Sequence, residues 1–333
     1  MAEKSQKLSK AFSMLNESTT NSTVDLTLLE NRTAAIDNRI IFHAPGLKRY
    51  QTSEYEQHND IEFVAISVTG EACSLNCEHC KTGVLRGMRD LSSSRESLYE
   101  ICSRLHDQGA KGILISGGSD RRGRVPLRKH ISDMIKVRQE FGMVIRVHPG
   151  LPDEETCSGL ADVEIDGAMV DIIGDNATIR DVYHLNTDVN EYEAVLERLE
   201  RHGVPSVPHI IMGLHYGRML GEANALEMIS RHALKLLVLV ILMPLSGTPM
   251  AAVIPPSVSE ITDFFKLARK TLPNDKIMLG CARPVGPQKV KIDRAAIDSG
   301  LNGIAYPADG IVKYAESMGL KPEFINACCG VSW

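Results

Sequence analysis

From residue 61 onward, short apolar runs alternate with longer amphipathic stretches. The runs are IEFVAISVT (61–69), GILISG (112–117), MVIRVHP (143–149), GAMVDIIG (167–174), SVPHIIMG (206–213), LLVLVILMP (236–244), KIMLGCAR (276–283) and GIAYP (303–307). Several are continuous Val/Ile/Leu segments, the pattern of strands buried on both faces of a parallel sheet. Between them, stretches such as 93–109, 126–142, 191–203 and 259–272 place apolar residues at helical spacing. In the first, Ser93 and Glu96 predict a capping box, Leu98, Ile101, Cys102 and Leu105 form one apolar face, and Gly109 closes the helix.

Eight strands alternating with helices predict an α/β fold, a (β/α)8 TIM-type barrel, with an open doubly wound sheet as the alternative. In such a barrel the active site forms at the C-terminal ends of the strands. The segments EACSLNCEHCK, ISGGS, VHPG, MGLHYG, MPLSGTP and LGCARP all fall there, so the unusual residues converge on one face. The first 60 residues are polar and carry no strong periodicity. The expected division is therefore an N-terminal extension over 1–60, a barrel over 61–320 and a tail over 321–333 that carries a Cys-Cys pair. The extension is expected to cover the barrel or contact a carrier or partner.

Composition narrows the function classes. A net charge of −5 and 5% aromatic residues give neither a basic footprint nor a stacking surface for nucleic acid. The N-terminus lacks the apolar stretch of a signal peptide. The longest apolar run, 236–243, is far below the roughly 20 residues of a membrane span. A cytoplasmic protein is expected, in which the three N-x-[ST] sequons near the start are chance.

Eight cysteines in a reducing compartment point to metal or catalysis rather than disulfides. Cys73, Cys77 and Cys80 form C-x3-C-x2-C directly after the first strand. Three thiolates can hold a four-iron cluster while one iron keeps an open position, as on a catalytic metal. Structural zinc would need four ligands in two separated pairs, and no second C-x2-C exists. His79, inside the tight loop, would strain as a fourth ligand. Cys102 and Cys157 sit at helical spacing from Leu98 and Leu105, and from Leu160 and Ala161, and read as core residues. His148, His209, His215 and Asp171 lie at strand ends, where substrate contact and satisfied structural roles are both open.

The cysteine motif resembles that of the radical S-adenosylmethionine (SAM) superfamily. That resemblance implies a [4Fe–4S] cluster on Cys73, Cys77 and Cys80 and the cofactor SAM, cleaved to a 5′-deoxyadenosyl radical after an electron arrives from a donor such as ferredoxin or flavodoxin. It further implies that Ser116, Gly117 and Gly118 meet the SAM amino group, that His79 supplies a ring near the adenine, and that Gly213 gives a backbone contact to it. Beyond the motif, IRDVYHLN, GVPSVPHIIMGLHYG, LMPLSGTPM and LGCARPVG look biotin-synthase-like. IFHAPGLKRY, AISVTG, the cysteine loop with VLRGM, and LGCARP resemble the two-component lipoyl synthases. In that family two paralogous proteins insert sulfur into an octanoyl chain on a carrier protein or peptide.

Sulfur insertion in related enzymes draws on a second, auxiliary cluster. Cys281, Cys328 and Cys329 are the candidate ligands here, with only one of the adjacent pair expected to serve. The compact C-x4-C-x5-C motif of ordinary lipoyl synthases is absent. Arg283 invites comparison with the arginine of biotin synthases, and Ser332 with the serine ligand of ordinary lipoyl synthases. Two other classes remain open: a biotin-synthase-like enzyme of another cofactor pathway without an auxiliary cluster, and an iron–sulfur redox sensor or scaffold.

Overall fold

The structure, a computed structural model, describes residues 38–46, 49–57, 59 and 61–331. All eight predicted strands form. They are β2 (Phe63–Ser67), β4 (Gly112–Ser116), β5 (Val144–Val147), β6 (Gly167–Asp171), β7 (Ser206–Met212), β8 (Leu237–Ile241), β9 (Ile277–Leu279) and β10 (Gly303–Ala305). Three more complete one sheet: β1 (Arg39–His43), β3 (Arg89–Asp90) and β11 (Lys321–Ile325), in the order β11-β1-β10-β9-β8-β7-β6-β5-β4-β2-β3. Every ladder is parallel. All strand C-termini therefore open on one side, where the predicted site segments gather.

The sheet curls into a partial barrel, with helices packed outside it. One parity of strand residues, including Ile66, Ile113, Ile145, Val170, Ile210 and Leu239, packs outward with helix residues such as Leu98, Leu105 and Phe264. The other parity, including Phe63, Leu114, Met169, Val207, Val238 and Met278, forms a separate interior cluster. Ala327, Cys329 and Val331 of the C-terminal segment belong to that interior cluster, so the sheet wraps the tail as it curls. The first and last edges are tied by side chains: Asn326 Nδ2 donates to Glu62 Oε2 at 2.9 Å, just ahead of β2.

Two departures from the pattern reading have local causes. The segment before residue 61 supplies β1, RIIFH, whose Ile40 and Phe42 are fully buried. Five residues are too few for a periodic signal; β10 and β11 on either side determine the burial. The predicted capping box at Ser93 and Glu96 is also displaced. The helix α1 (Leu98–Asp107) starts four residues later, with Ser97 and Glu100 as the reciprocal pair. Asp90 Oδ1 captures the Ser92 and Ser93 amides, and Glu96 pairs with Arg104, so 92–96 is a turn. Gly109 does follow the helix, at φ +96°.

Among the described residues no helix is long and apolar enough to cross a membrane. The sequons and Ser332 lie outside the described residues.

Candidate functional site

The cysteine loop leaves the C-terminal end of β2 and curls tightly. Asn76, Lys81 and Thr82 hold left-handed φ angles of +49°, +42° and +65°. Such positions cost of order 1–3 kcal/mol each and persist only where surroundings enforce them. Here Lys81 Nζ donates to Asn76 O at 2.8 Å and pairs with Glu78 at 2.9 Å, and Glu78 also meets His184 at 2.9 Å.

The three thiols share this loop. The Cys77 thiol interacts with Cys80, which pulls Cys80 below the ordinary thiol range and pushes Cys77 above it. Cys73 is near enough for its charge to act on Cys77, and its Sγ lies 3.8 Å from Ser119 O. No three His, Cys, Asp or Glu side chains among the described residues close on a point at single-ion spacing. A four-iron cluster spreads its thiolates around a cube wider than one ion's shell, and three thiols on one loop fit that donor set.

The glycine motif after β4 touches the same loop. Gly118 N–H donates to Thr69 Oγ1 at 2.7 Å, and Ser74 N–H to Ser119 O at 2.8 Å. A Cβ at Gly118 would stand 1.9 Å from Ala72 O and 2.5 Å from Cys73 Cβ. Only glycine lets the two segments approach this closely. Ser116 Oγ donates to His148 O at 3.3 Å. Beside Cys73 and Gly118 lies a cavity of about 570 Å³, lined also by Thr69, Ser119, Arg124 and Lys129.

Tyr183, which no sequence signal singled out, joins the cysteine loop to the strand ends. Its ring packs 5.3 Å from His79, its carbonyl lies 3.9 Å from Cys77 Sγ, and its hydroxyl donates to Asp171 Oδ2 at 3.2 Å. Nδ1 of His79 is buried without a hydrogen-bond partner. Asp171 also faces His148 at 3.9 Å, and the His148 and His209 rings lie 5.7 Å apart. Burial pushes His209 down to about 4, so it is neutral, and its Nδ1 meets Val207 O at 2.9 Å.

Gly213 takes a left-handed φ of +74° at the end of β7, and its amide donates to Glu222 Oε1 at 2.7 Å. Pro256 approaches so closely that a Cβ there would lie 2.3 Å away. Burial pushes the Glu222 carboxyl up to about 7, and its Oε2 has no partner. His215 is a buried neighbour bonded to Thr178 Oγ1 at 3.2 Å.

The remaining candidate cysteines separate by burial. Cys102 and Cys157 are fully buried, and burial raises their thiols to about 12 and about 11, as core residues. Cys281 is exposed at the end of β9. Cys328 and Cys329 lie inside the barrel, their thiols interacting with each other and Cys329 feeling the charge of Cys281. Arg283 is not beside them. It is 2% exposed, bonded to Asp293 at 2.7 and 3.1 Å and to Tyr306 O and Gly280 O, so it braces the loop from within.

The cation that does face the tail is Arg146 of β5, 1% exposed, acted on by Cys328 and Cys329. Its Nη1 reaches Asp166 O at 2.5 Å while its Nε has no partner. Opposite it in register stands Gly167, where a Cβ would fall 1.9 Å from Nη1. His43 of β1, fully buried and lowered to about 4 by burial, lies by the backbone of Ala327. A lone arginine in the apolar run MVIRVHP was the available signal for Arg146; the histidine before 61 had none.

No curated protein matches the chain in sequence. Among solved structures, methylornithine synthase (PylB) is similar over 95% of this chain and 94% of its own, at TM-score 0.64 and 15% identity. The FeFe-hydrogenase maturase HydG from Carboxydothermus hydrogenoformans is similar over 98% of this chain and 80% of its own, at TM-score 0.61 and 16% identity. SuiB of Streptococcus suis, bound to S-adenosylmethionine, covers 70% of this chain and 54% of its own, at TM-score 0.50 and 9% identity. At such identities the likeness establishes the fold. The family described as the Radical SAM superfamily matches residues 67–217, the span that begins at the end of β2, contains the cysteine loop and closes just past Gly213. Residues 67–217 are thus a Radical SAM superfamily domain.

Proposed function

We infer that this protein is a radical SAM enzyme that inserts sulfur into protein-bound octanoyl groups to form the lipoyl cofactor, together with a paralogous partner. Cys73, Cys77 and Cys80 hold the [4Fe–4S] cluster, and Ser116, Gly117, Gly118, His79 and Gly213 surround SAM. When bound, the cluster and SAM supply a 5′-deoxyadenosyl radical able to take hydrogen from an unactivated carbon. The chain's own part is ligation and placement: Gly118 seats the cysteine loop against β4, Tyr183 fixes it to Asp171, and Glu222 holds the Gly213 turn.

One observation supports sulfur insertion in particular. The Cys328–Cys329 pair folds inside the barrel, toward the buried Arg146 and within reach of the charge of Cys281. Burying a thiol pair beside an incompletely bonded guanidinium is costly without a ligand to complete it. An auxiliary cluster on Cys281 and one or both tail cysteines is that ligand. The exposed apolar side chains Val84, on the 3-10 helix after the cysteine loop, and Tyr216, Leu220, Ile254 and Val285, on the loops after β7, β8 and β9, follow the C-terminal ends of their strands, a rim suited to an octanoyl chain entering on its carrier.

Anaerobic reconstitution with iron counting tests this reading. Wild type is expected to hold about eight irons and the Cys281→Ala/Cys328→Ala/Cys329→Ala variant about four, with SAM cleaved to methionine and 5′-deoxyadenosine. About four irons in both would leave a biotin-synthase-like enzyme without an auxiliary cluster. Iron binding without SAM cleavage under a strong reductant would leave a redox sensor or scaffold.

A further inference from the structure

Two basic side chains of the barrel interior meet the C-terminal tail, and neither is fully bonded. One is Arg146. The other, His43, is the last residue of β1 and 1% exposed. Ile40 and Phe42 of that strand pack outward, so strand alternation turns Ile41 and His43 inward. Ala305, the register partner of His43 in β10, belongs to the interior cluster as well. There the His43 ring meets the backbone of Ala327, the residue before Cys328. Its Nδ1 is buried without a hydrogen-bond partner.

A neutral imidazole carries one N–H and one lone pair, and leaving either unpaired in a dry interior is costly. Native interiors rarely do so. Metal-ligating histidines are the common exception: one ring nitrogen is held by the chain, often at a backbone carbonyl, and the other is presented to the metal. His43 has that form, with the Ala327 backbone against the ring and Nδ1 left open.

The surroundings supply the rest of a donor set. Cys328 and Cys329 follow Ala327 directly, and Cys329 is 3% exposed within the same interior cluster. β10 stands between β1 and β9, and Cys281 lies just past the end of β9. The charge of Cys281 reaches Cys329, and that of Arg146 reaches both His43 and Cys328. Arg146 Nε also lacks a partner, so a buried donor stands ready for an anionic group. Among the described residues no three His, Cys, Asp or Glu side chains close at single-ion spacing, so the set suits a polynuclear cluster rather than one ion. Should only one of the adjacent cysteines bind, Cys281 and that thiol leave the set short, and His43 Nδ1 is a further donor on the same wall.

Resting on the auxiliary-cluster reading above, we propose that His43 ligates that cluster through Nδ1, as a nitrogen donor beside Cys281 and the tail cysteines. Burial keeps the ring neutral, so ligation uses its lone pair and releases no proton, whereas each thiol gives one up on binding. A neutral nitrogen in place of a thiolate leaves the cluster less negative and raises its reduction potential, as imidazole does in other iron–sulfur centres.

The test uses the full chain carrying Cys73→Ala/Cys77→Ala/Cys80→Ala, so that the only cluster it can hold is the one beside His43. The protein, grown with isotopically labelled histidine, is reconstituted anaerobically and reduced with dithionite. Iron is counted and the reduced cluster is examined by pulsed EPR. The expected result is about four irons and a histidine nitrogen strongly coupled to the cluster. Adding His43→Ala should cut the iron at least twofold and abolish the coupling. His43→Cys should restore the iron without nitrogen coupling and lower the reduction potential. The coupling is read in protein that keeps His43, so the test does not depend on the alanine variant folding. About four irons without histidine coupling, or coupling that survives His43→Cys, overturns the ligation and leaves the cluster standing. No iron in the chain lacking Cys73, Cys77 and Cys80 strikes the auxiliary cluster itself, and the role of His43 falls with it.

Discussion

Replacing Gly118 by alanine separates what the barrel needs from what the cysteine loop needs. The added Cβ would lie 1.9 Å from Ala72 O, 2.5 Å from Cys73 Cβ and 2.6 Å from Cys73 Cα. Favourable contact begins near 3.5 Å, so the loop must retreat by roughly 1–1.5 Å. These atoms belong to the backbone and Cβ of the loop and cannot rotate aside. Retreat would break the Gly118 N–H to Thr69 Oγ1 bond of 2.7 Å and the Ser74 N–H to Ser119 O bond of 2.8 Å. Overpacking costs about 1–3 kcal/mol and each of the two lost hydrogen bonds about 1 kcal/mol, which together give about 4 kcal/mol. In a large domain that lowers Tm by roughly 6 °C.

Gly87→Ala is the control, since a Cβ there meets nothing within 4 Å. It should change stability by less than about 0.5 kcal/mol. The assays are thermal unfolding of the iron-free protein and iron retained after anaerobic reconstitution. Gly118→Ala is expected to keep its secondary structure and lose most of its iron. If it matches Gly87→Ala in both Tm and iron, the close approach of β4 to the cysteine loop is not what seats Cys73.

Three further perturbations follow from the burial of titratable groups. Burial raises Glu222 from an ordinary value of 4.5 to about 7, so the folded state holds a proton that the unfolded chain releases. Stability should therefore decline as pH rises from 4.5 to about 7, by about 3 kcal/mol in all, and stay at that level above; Glu222→Gln should flatten the profile, and an unchanged slope in urea unfolding would refute the assignment. Arg283→Met leaves the fully buried Asp293 without its cation and should cost about 3–5 kcal/mol. Adding Asp293→Asn should restore much of that, since the new carbonyl can still accept the Ala308 amide; a double variant no more stable than the single one counts against the ion pair. Cys102→Ala should cost about 1 kcal/mol in unfolding experiments and leave reconstituted iron unchanged, whereas lost iron would give that thiol a ligand role.

Much of the architecture was legible because its signal is local. Continuous Val/Ile/Leu runs mark strands wherever both faces are buried, and all eight runs became strands of one parallel sheet. The C-x3-C-x2-C spacing is likewise local chemistry, since one loop carries all three thiols. The capping box was misplaced by four residues because 92–97 holds several serines, and local spacing cannot show which of them Asp90 captures.

What the sequence by itself determined, then, is the element order, the side of the sheet on which the loops gather and the identity of the cysteine cluster. Tertiary structure alone decided which distant residues meet. It put β1 between β10 and β11, drew the Cys328–Cys329 tail into the interior and set Arg146 rather than Arg283 against it. It joined His79, Tyr183 and Asp171 into one chain of contacts. The physical reason is the range of the forces involved. Periodicity and motif spacing reflect burial and bonding within a few residues of chain. The tail, Arg146 and His43 lie more than a hundred residues from one another and share an environment only after the sheet has curled around them.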